Sequence, residues 1–176
     1  MNARTEALLR YLEEQHEVLR RAVESVPPER ATKRPARDRW SAAEILEHIA
    51  IVESRIEKLF TSKVAESRPA SETHEPALSG QQPWDRRWVL NRSRSVTANP
   101  AVHPTGKLSF ADAWAAAERS YESFCTAVAA SDGAPLGSIV HPHPVFGPLN
   151  LHSWVEFVAG HEARHAAQIR ECSLGG

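Results

Sequence analysis

The chain has 176 residues, 41% of them hydrophobic, and its 21 Lys and Arg against 22 Asp and Glu leave a formal net charge of −1. A chain this long buries roughly 70% of its unfolded surface, enough for a core without disulfide staples, which excludes a disordered tail and suits one domain over 1–176. The balanced charge gives no field to attract phosphate backbones or an anionic membrane, so neither nucleic acid nor membrane is expected as a partner.

The first segment, about Arg4 to Val26, sets Leu8, Leu12, His16, Leu19 and Val23 at steps of three and four and stops at Pro27-Pro28, which predicts an amphipathic helix. Its charged start, MNARTEALLRYLEEQ, is not a signal peptide, and no apolar run reaches the 18 residues of a membrane span. A cytoplasmic protein is expected. The basic stretch PERATKRPARDR follows, with Arg30, Lys33, Arg34, Arg37 and Arg39, and reads as a solvated linker that could alternatively grip an anionic group. Ser41-Ala-Ala-Glu44 is a capping box, and it opens a second helix to about Ser62 with Ile45, Ile49, Val52, Ile56 and Leu59 inward.

Residues 63–107 carry five prolines and no sustained periodicity, so they read as a long crossover loop, pinned by a short helix opening at Pro83 that carries Trp84 and Trp88. Ser109 and Asp112 repeat the capping signature for a third helix, which ends near Ser131-Asp-Gly133. The Pro- and His-rich connection APLGSIVHPHPVFGPLN shows no β-alternation and reads as loop. From Leu151 a last helix runs to about Cys172. Four helices of about 20 residues and no strand predict an all-α four-helix bundle.

Nine histidines beside two cysteines are the compositional oddity. His161 and His165 are four apart on the inward stripe of the last helix, so their rings are offset by about 40° and about 6 Å along the axis and can reach one ion. A single inward histidine is commonly a hydrogen-bonded core residue. A pair at this spacing, with His48 inward on the second helix, points instead to a ligand set. His161 and His165 lie about 10–16 Å from the end of their helix and His48 about 10 Å from the start of its own, heights that match when the two helices are antiparallel. Short connections make the first and second, and the third and fourth, helices antiparallel too. The long crossover lets the third run beside the second in the same direction, giving an up-down-down-up course. Three imidazoles from two helices would leave coordination positions open, as catalytic sites do and closed structural sites do not.

The same residues spell H-E-x-x-H, the zinc-protease pattern with Glu162 as general base. That reading needs a third ligand downstream, where Glu171 is the sole carboxylate and stands too close. Glu162 is therefore left as a candidate at the edge of the site, or as a solvated residue paired with an arginine such as Arg164.

Trp40-Ser-Ala-Ala-Glu-Ile-Leu-Glu-His48, Ala98-Asn-Pro100, His103-Pro-Thr-Gly106-Lys-Leu-Ser109, His143-Pro-Val-Phe-Gly147-Pro-Leu and His161-Glu-Ala-Arg-His165-Ala-Ala-Gln168-Ile follow one another in an order and spacing that resembles the DinB/YfiT-like superfamily. The resemblance implies a metal triad of His48, His161 and His165, with nickel or zinc as the ion, in an up-down-down-up bundle that is often a homodimer. It also implies thiol S-transfer with a low-molecular-weight thiol such as bacillithiol, or isomerisation or hydrolysis, on a small-molecule substrate. It does not imply DNA binding. The other class left open is a non-catalytic bundle whose ion steadies the core.

The remaining histidines carry no role that spacing defends. His141 and His143 read as exposed loop residues that could alternatively line the site's mouth. His16 reads as a core residue or a support for the site, His74 and His103 sit in the long loop with no visible partner, and His152 starts the last helix beside the apolar positions. Cys125 and Cys172 read as buried small apolar groups, and Trp40, Trp114 and Trp154 as core.

Overall fold

The computed structural model describes residues 1–67, 84–93 and 97–174. It is helical apart from one two-stranded hairpin. Helix α1 (Ala3–Glu24) starts where the Asn2 side chain accepts from Thr5 N–H and ends short of Pro27. Helix α2 (Ala42–Glu66) opens on the expected capping box: Glu44 N–H donates to Ser41 Oγ, and Ser41 N–H donates back to Glu44 Oε2 at 2.9 Å. α2 runs one turn beyond Ser62, where Ser62 Oγ and Lys63 Nζ both bind Glu66.

The short helix in the crossover is α3 (Arg87–Leu90), begun by Asp85, which accepts from Arg87 N–H at 2.9 Å. The start expected at Pro83, like His74, lies outside the described residues. A 3₁₀ turn follows at Pro100–Val102, and then α4 (Phe110–Ala130), N-capped by Ser109. The connection read as loop instead forms a hairpin, β1 (Val140–His143) antiparallel to β2 (Gly147–Asn150), with His143 paired to Gly147 and Val140 to Asn150. Four-residue strands are too short for alternation to register. The available signal was Gly147, at φ 73°, closing a three-residue turn that requires a left-handed residue. Helix α5 (Leu151–Leu174) begins directly after β2.

α1 packs chiefly on α5, and α2 on α4 and then α5. The apolar core falls into two parts. One gathers Leu8 and Leu12 of α1, Ile56 and Phe60 of α2, Phe124 and Val128 of α4, and Val155 and Val158 of α5. The other gathers Leu19 and Val23 of α1, Ile45 and Ile49 of α2, Ala113 and Ala117 of α4, and Ala166 and Ile169 of α5. Between them, each long helix contributes one residue to a buried polar layer, His16, Glu53, Ser120 and Glu162. A buried polar layer holds only where its members satisfy one another, so it fixes the axial register of the four helices.

The basic linker is not simply solvated. Arg34 forks onto both carboxylate oxygens of Glu44, Arg39 pairs with Glu171 at 2.5 Å, and Arg30 donates to Ser173 O. These bonds tie the linker to the start of α2 and the end of α5.

Candidate metal centre

The inward stripes of α2 and α5 bring His48, His161 and His165 together, with one ring nitrogen of each lying within 4.8 Å of the others. All three are buried, at 4%, 8% and 7% exposure. Their ring centroids stand 5.2 Å (His48 to His161), 5.0 Å (His48 to His165) and 4.3 Å (His161 to His165) apart.

Hydrogen bonds assign the ring faces. His48 Nδ1–H donates to Val102 O at 2.7 Å, and His165 Nδ1–H donates to Gln168 Oε1 at 2.6 Å. Each bond places the proton on Nδ1 and leaves Nε2 as a lone-pair donor, the arrangement in which outer partners orient metal-binding histidines. His165 Nε2 faces His161 Nε2 at 3.0 Å, and His161 Nδ1 is buried without a partner among the described residues. One proton can join the two facing Nε2 atoms but leaves the His48 lone pair unused, whereas a single cation uses all three. The residues present therefore fit a divalent ion that takes imidazole nitrogen.

Burial also keeps the rings in the form a metal needs. It pushes the His165 imidazole down to about 3, and it holds His161 well below and His48 below the ordinary histidine range, with the neighbouring rings adding to the shift of the first two. All three are neutral at pH 7.

The surroundings come from two loops and α3. Trp40 packs on His48 with centroids 4.8 Å apart and on His103 at 5.7 Å, so Trp40 and the exposed His103 edge the site. Val89 of α3 reaches α5 because Gly160 has no side chain: a Cβ there would stand 3.2 Å from Val89 Cβ. Arg164 donates to Val89 O and Asn91 O, and Arg92 pairs with Glu171 at 2.6 Å. The arginine assigned to Glu162 in one reading of the sequence thus holds backbone instead.

Glu162 itself is neither at the edge of the site nor solvated. It is fully buried on the face of α5 turned to α1, where Oε1 accepts from His16 Nδ1 at 2.9 Å. Residue 162 is turned about 100° from residue 161, which is enough to leave the histidine face. Its carboxyl lies near enough to that of Glu53 for each to shift the other's ionisation, and Ser120 Oγ donates to Glu53 Oε2 at 2.6 Å. Burial pushes Glu162 up to about 8, and burial together with the Glu162 charge raises Glu53 well above the usual carboxyl range. Glu53 Oε1 and Glu162 Oε2 have no partner as two carboxylates, so the pair holds a proton at neutral pH. His16, stacked on Tyr121 at 3.7 Å, is lowered by burial and stays neutral beside them.

His143 is not an exposed loop residue. It lies buried under the hairpin among Phe146, Trp154 and Phe157, with Nδ1 accepting from the N–H groups of Val145 and Phe146, and burial pushes it down to about 4. Two features of the centre escaped sequence reasoning: Gln168, whose signal was its place one turn beyond His165, and the Val102 carbonyl, which carries no side-chain signal.

Among the described residues, no helix is long and apolar enough to cross a membrane. No solved structure matches the chain. An uncharacterized protein of Bacillus subtilis (strain 168), YuaE, is 25% identical over 143 residues, which covers 81% of this chain and 83% of that one. The model of the DinB superfamily matches residues 11–169, which take in parts or all of the four long helices and the three converging histidines, and the chain belongs to that superfamily.

Proposed function

We propose that the protein is a divalent-metal-dependent enzyme acting on a small molecule, a transferase of the thiol S-transferase type or a hydrolase. His48, His161 and His165 would hold the ion, nickel or zinc as the resemblance to the superfamily implies. The observation that carries the reading is the convergence of three neutral imidazoles, two of them with Nδ1 bonded so that Nε2 is free to coordinate. When bound, such an ion supplies Lewis-acid chemistry, lowering the pKa of a thiol or of water so that a nucleophile exists near neutral pH. Val102 O and Gln168 Oε1 fix the rings, and the burial of all three excludes bulk water from the donor atoms. A set of three protein donors is one short of the four of a closed structural site, which supports a place for substrate.

The chain is also read as an up-down-down-up bundle. The start of α1, the ends of α2 and α4 and the start of α5 share one half of the core, which supports that course. A soluble cytoplasmic homodimer that binds neither nucleic acid nor membrane is part of the same reading, and the net charge of −1 supports its last element.

A non-catalytic bundle whose ion steadies the core is the second reading, favoured by exposures below one tenth at all three histidines. Thiol consumption with an epoxide or a halogenated electrophile, compared between nickel- or zinc-loaded and chelated protein, separates the two. Turnover confined to the loaded protein supports the transferase. Equal rates, with unfolding shifted by the metal, support the structural ion.

A further inference from the structure

Glu47 precedes His48 on α2 and is buried, yet it is not one of the three converging residues and has no cationic partner among its hydrogen bonds. Its carboxylate instead accepts three bonds from one loop. Thr105 N–H and Thr105 Oγ–H donate to Oε1 at 2.9 and 2.5 Å, and Gly106 N–H donates to Oε2 at 3.0 Å. Three residues before Thr105, the same loop presents Val102 O to His48 Nδ1. The segment between is short and contains Pro104, whose fixed φ passes the position of Thr105 on to Val102. The loop is also shaped to meet α2: Gly106 has φ 70°, and a Cβ there would stand 3.2 Å from Glu44 Oε1.

We propose that Glu47 is a positioning residue for the metal centre: by clamping Thr105 and Gly106 it holds the Val102 carbonyl against His48 Nδ1 and so fixes the tautomer and orientation of the His48 ring. The inference rests on the reading of the histidine cluster as a metal site. Consecutive residues on α2 thus act on one loop from two sides, Glu47 gripping it and His48 being gripped by it. A buried carboxylate with three charge-assisted bonds is a firm anchor, and outer partners of this kind change metal affinity by about 10- to 100-fold.

The test compares wild type, Glu47→Ala, His48→Ala and the double variant. Each is checked for helicity and titrated with Ni²⁺ and Zn²⁺ against a chromophoric chelator. Imidazole ¹⁵N shifts of His48 are recorded in the metal-free wild type and in metal-free Glu47→Ala. The expected result is affinity about 10- to 100-fold weaker in Glu47→Ala, no further loss from Glu47→Ala in the His48→Ala background, and a His48 signal moving from the Nδ1–H form to a mixture. Wild-type affinity and tautomer in Glu47→Ala overturn the proposal. Equal losses in both backgrounds also overturn it, since they show a contribution to the fold alone. If wild type takes up neither ion, the metal reading fails, and the metal-free tautomer still decides whether Glu47 positions His48. Should Glu47→Ala fail to fold, Thr105→Val removes one of the three bonds at an exposed position, and a tautomer shift in the same direction is expected, with no shift contradicting the clamp.

Discussion

His16 Nδ1 lies 2.9 Å from Glu162 Oε1, so the glutamate of H-E-x-x-H is bonded into the core through α1 while its neighbour His161 joins the histidine cluster with α2. One turn of α5 therefore serves two buried polar systems. One, shared with α2, collects neutral nitrogen donors, and the other, shared with all three remaining long helices, holds a proton between two carboxyls.

That division predicts how the carboxyl pair responds to substitution. Glu53→Gln keeps the shape and replaces a protonated carboxyl by a neutral amide, so unfolding free energy at pH 7 changes by less than about 1 kcal/mol. Glu53→Ala leaves a cavity and strands Ser120 and Glu162, at a cost of about 3 kcal/mol. Urea unfolding of the metal-free variants measures both, and equal losses would contradict a protonated pair.

The pH dependence of stability has a definite sign. His48, His161, His165 and His143 have lowered values in the folded chain, so unfolding takes up protons below the ordinary histidine value of about 6.5. Their contribution is fully present above about 6.5 and is lost as pH falls toward the folded values, about 4 for His143 and about 3 for His165. Glu53 and Glu162 are raised, so their contribution is fully present below about 4.5 and is lost as pH rises through about 8 for Glu162. Histidines outnumber carboxyls where the two slopes oppose, so metal-free protein is most stable near pH 6.5, and Glu53→Gln reduces the decline on the alkaline side. Urea midpoints from pH 4 to 9 check this; a midpoint still rising from pH 7 to 8.5 would refute it.

Gly106 links the loop to the start of α2 through its left-handed backbone and its contact with Glu44. Gly106→Ala is expected to destabilise the chain by about 1–2 kcal/mol, the cost of a left-handed non-glycine residue. It should also weaken Zn²⁺ affinity by displacing the loop that carries Val102. Thermal unfolding and metal titration report the two effects separately, and an unchanged metal affinity would show that the loop tolerates the shift.

Gln168 accepts from His165 Nδ1. Gln168→Leu keeps the volume and removes the acceptor, and it should weaken metal affinity by about 10- to 100-fold while leaving helicity unchanged. Competition with a chelator measures it.

The helices and the histidine cluster were legible because both rest on local periodicity: capping at Ser41 and Ser109, stripes at three and four, and His161 and His165 one turn apart on an inward face. The hairpin was not, since four-residue strands broken by Pro142 and Pro148 carry too few alternations, and its one signal lay in Gly147. Glu53 and Ser120 were missed because a polar residue at a stripe position reads as a gap in the stripe. Only the packing shows these two meeting His16 and Glu162 in one layer. Glu162 was misplaced because its neighbours in sequence face the histidine cluster, and a single step along a helix turns a side chain by about 100°. Arg34 and Arg39 read as solvent-facing because their partners, Glu44 and Glu171, are set by the fold.

Titration of Zn²⁺ or Ni²⁺ into metal-free wild type and into His161→Ala, with the bound ion counted per chain, bears most directly on the central claim. One ion per wild-type chain, with binding lost in His161→Ala while helicity is retained, is the predicted result. Unchanged uptake by His161→Ala would show that His48, His161 and His165 are not the site.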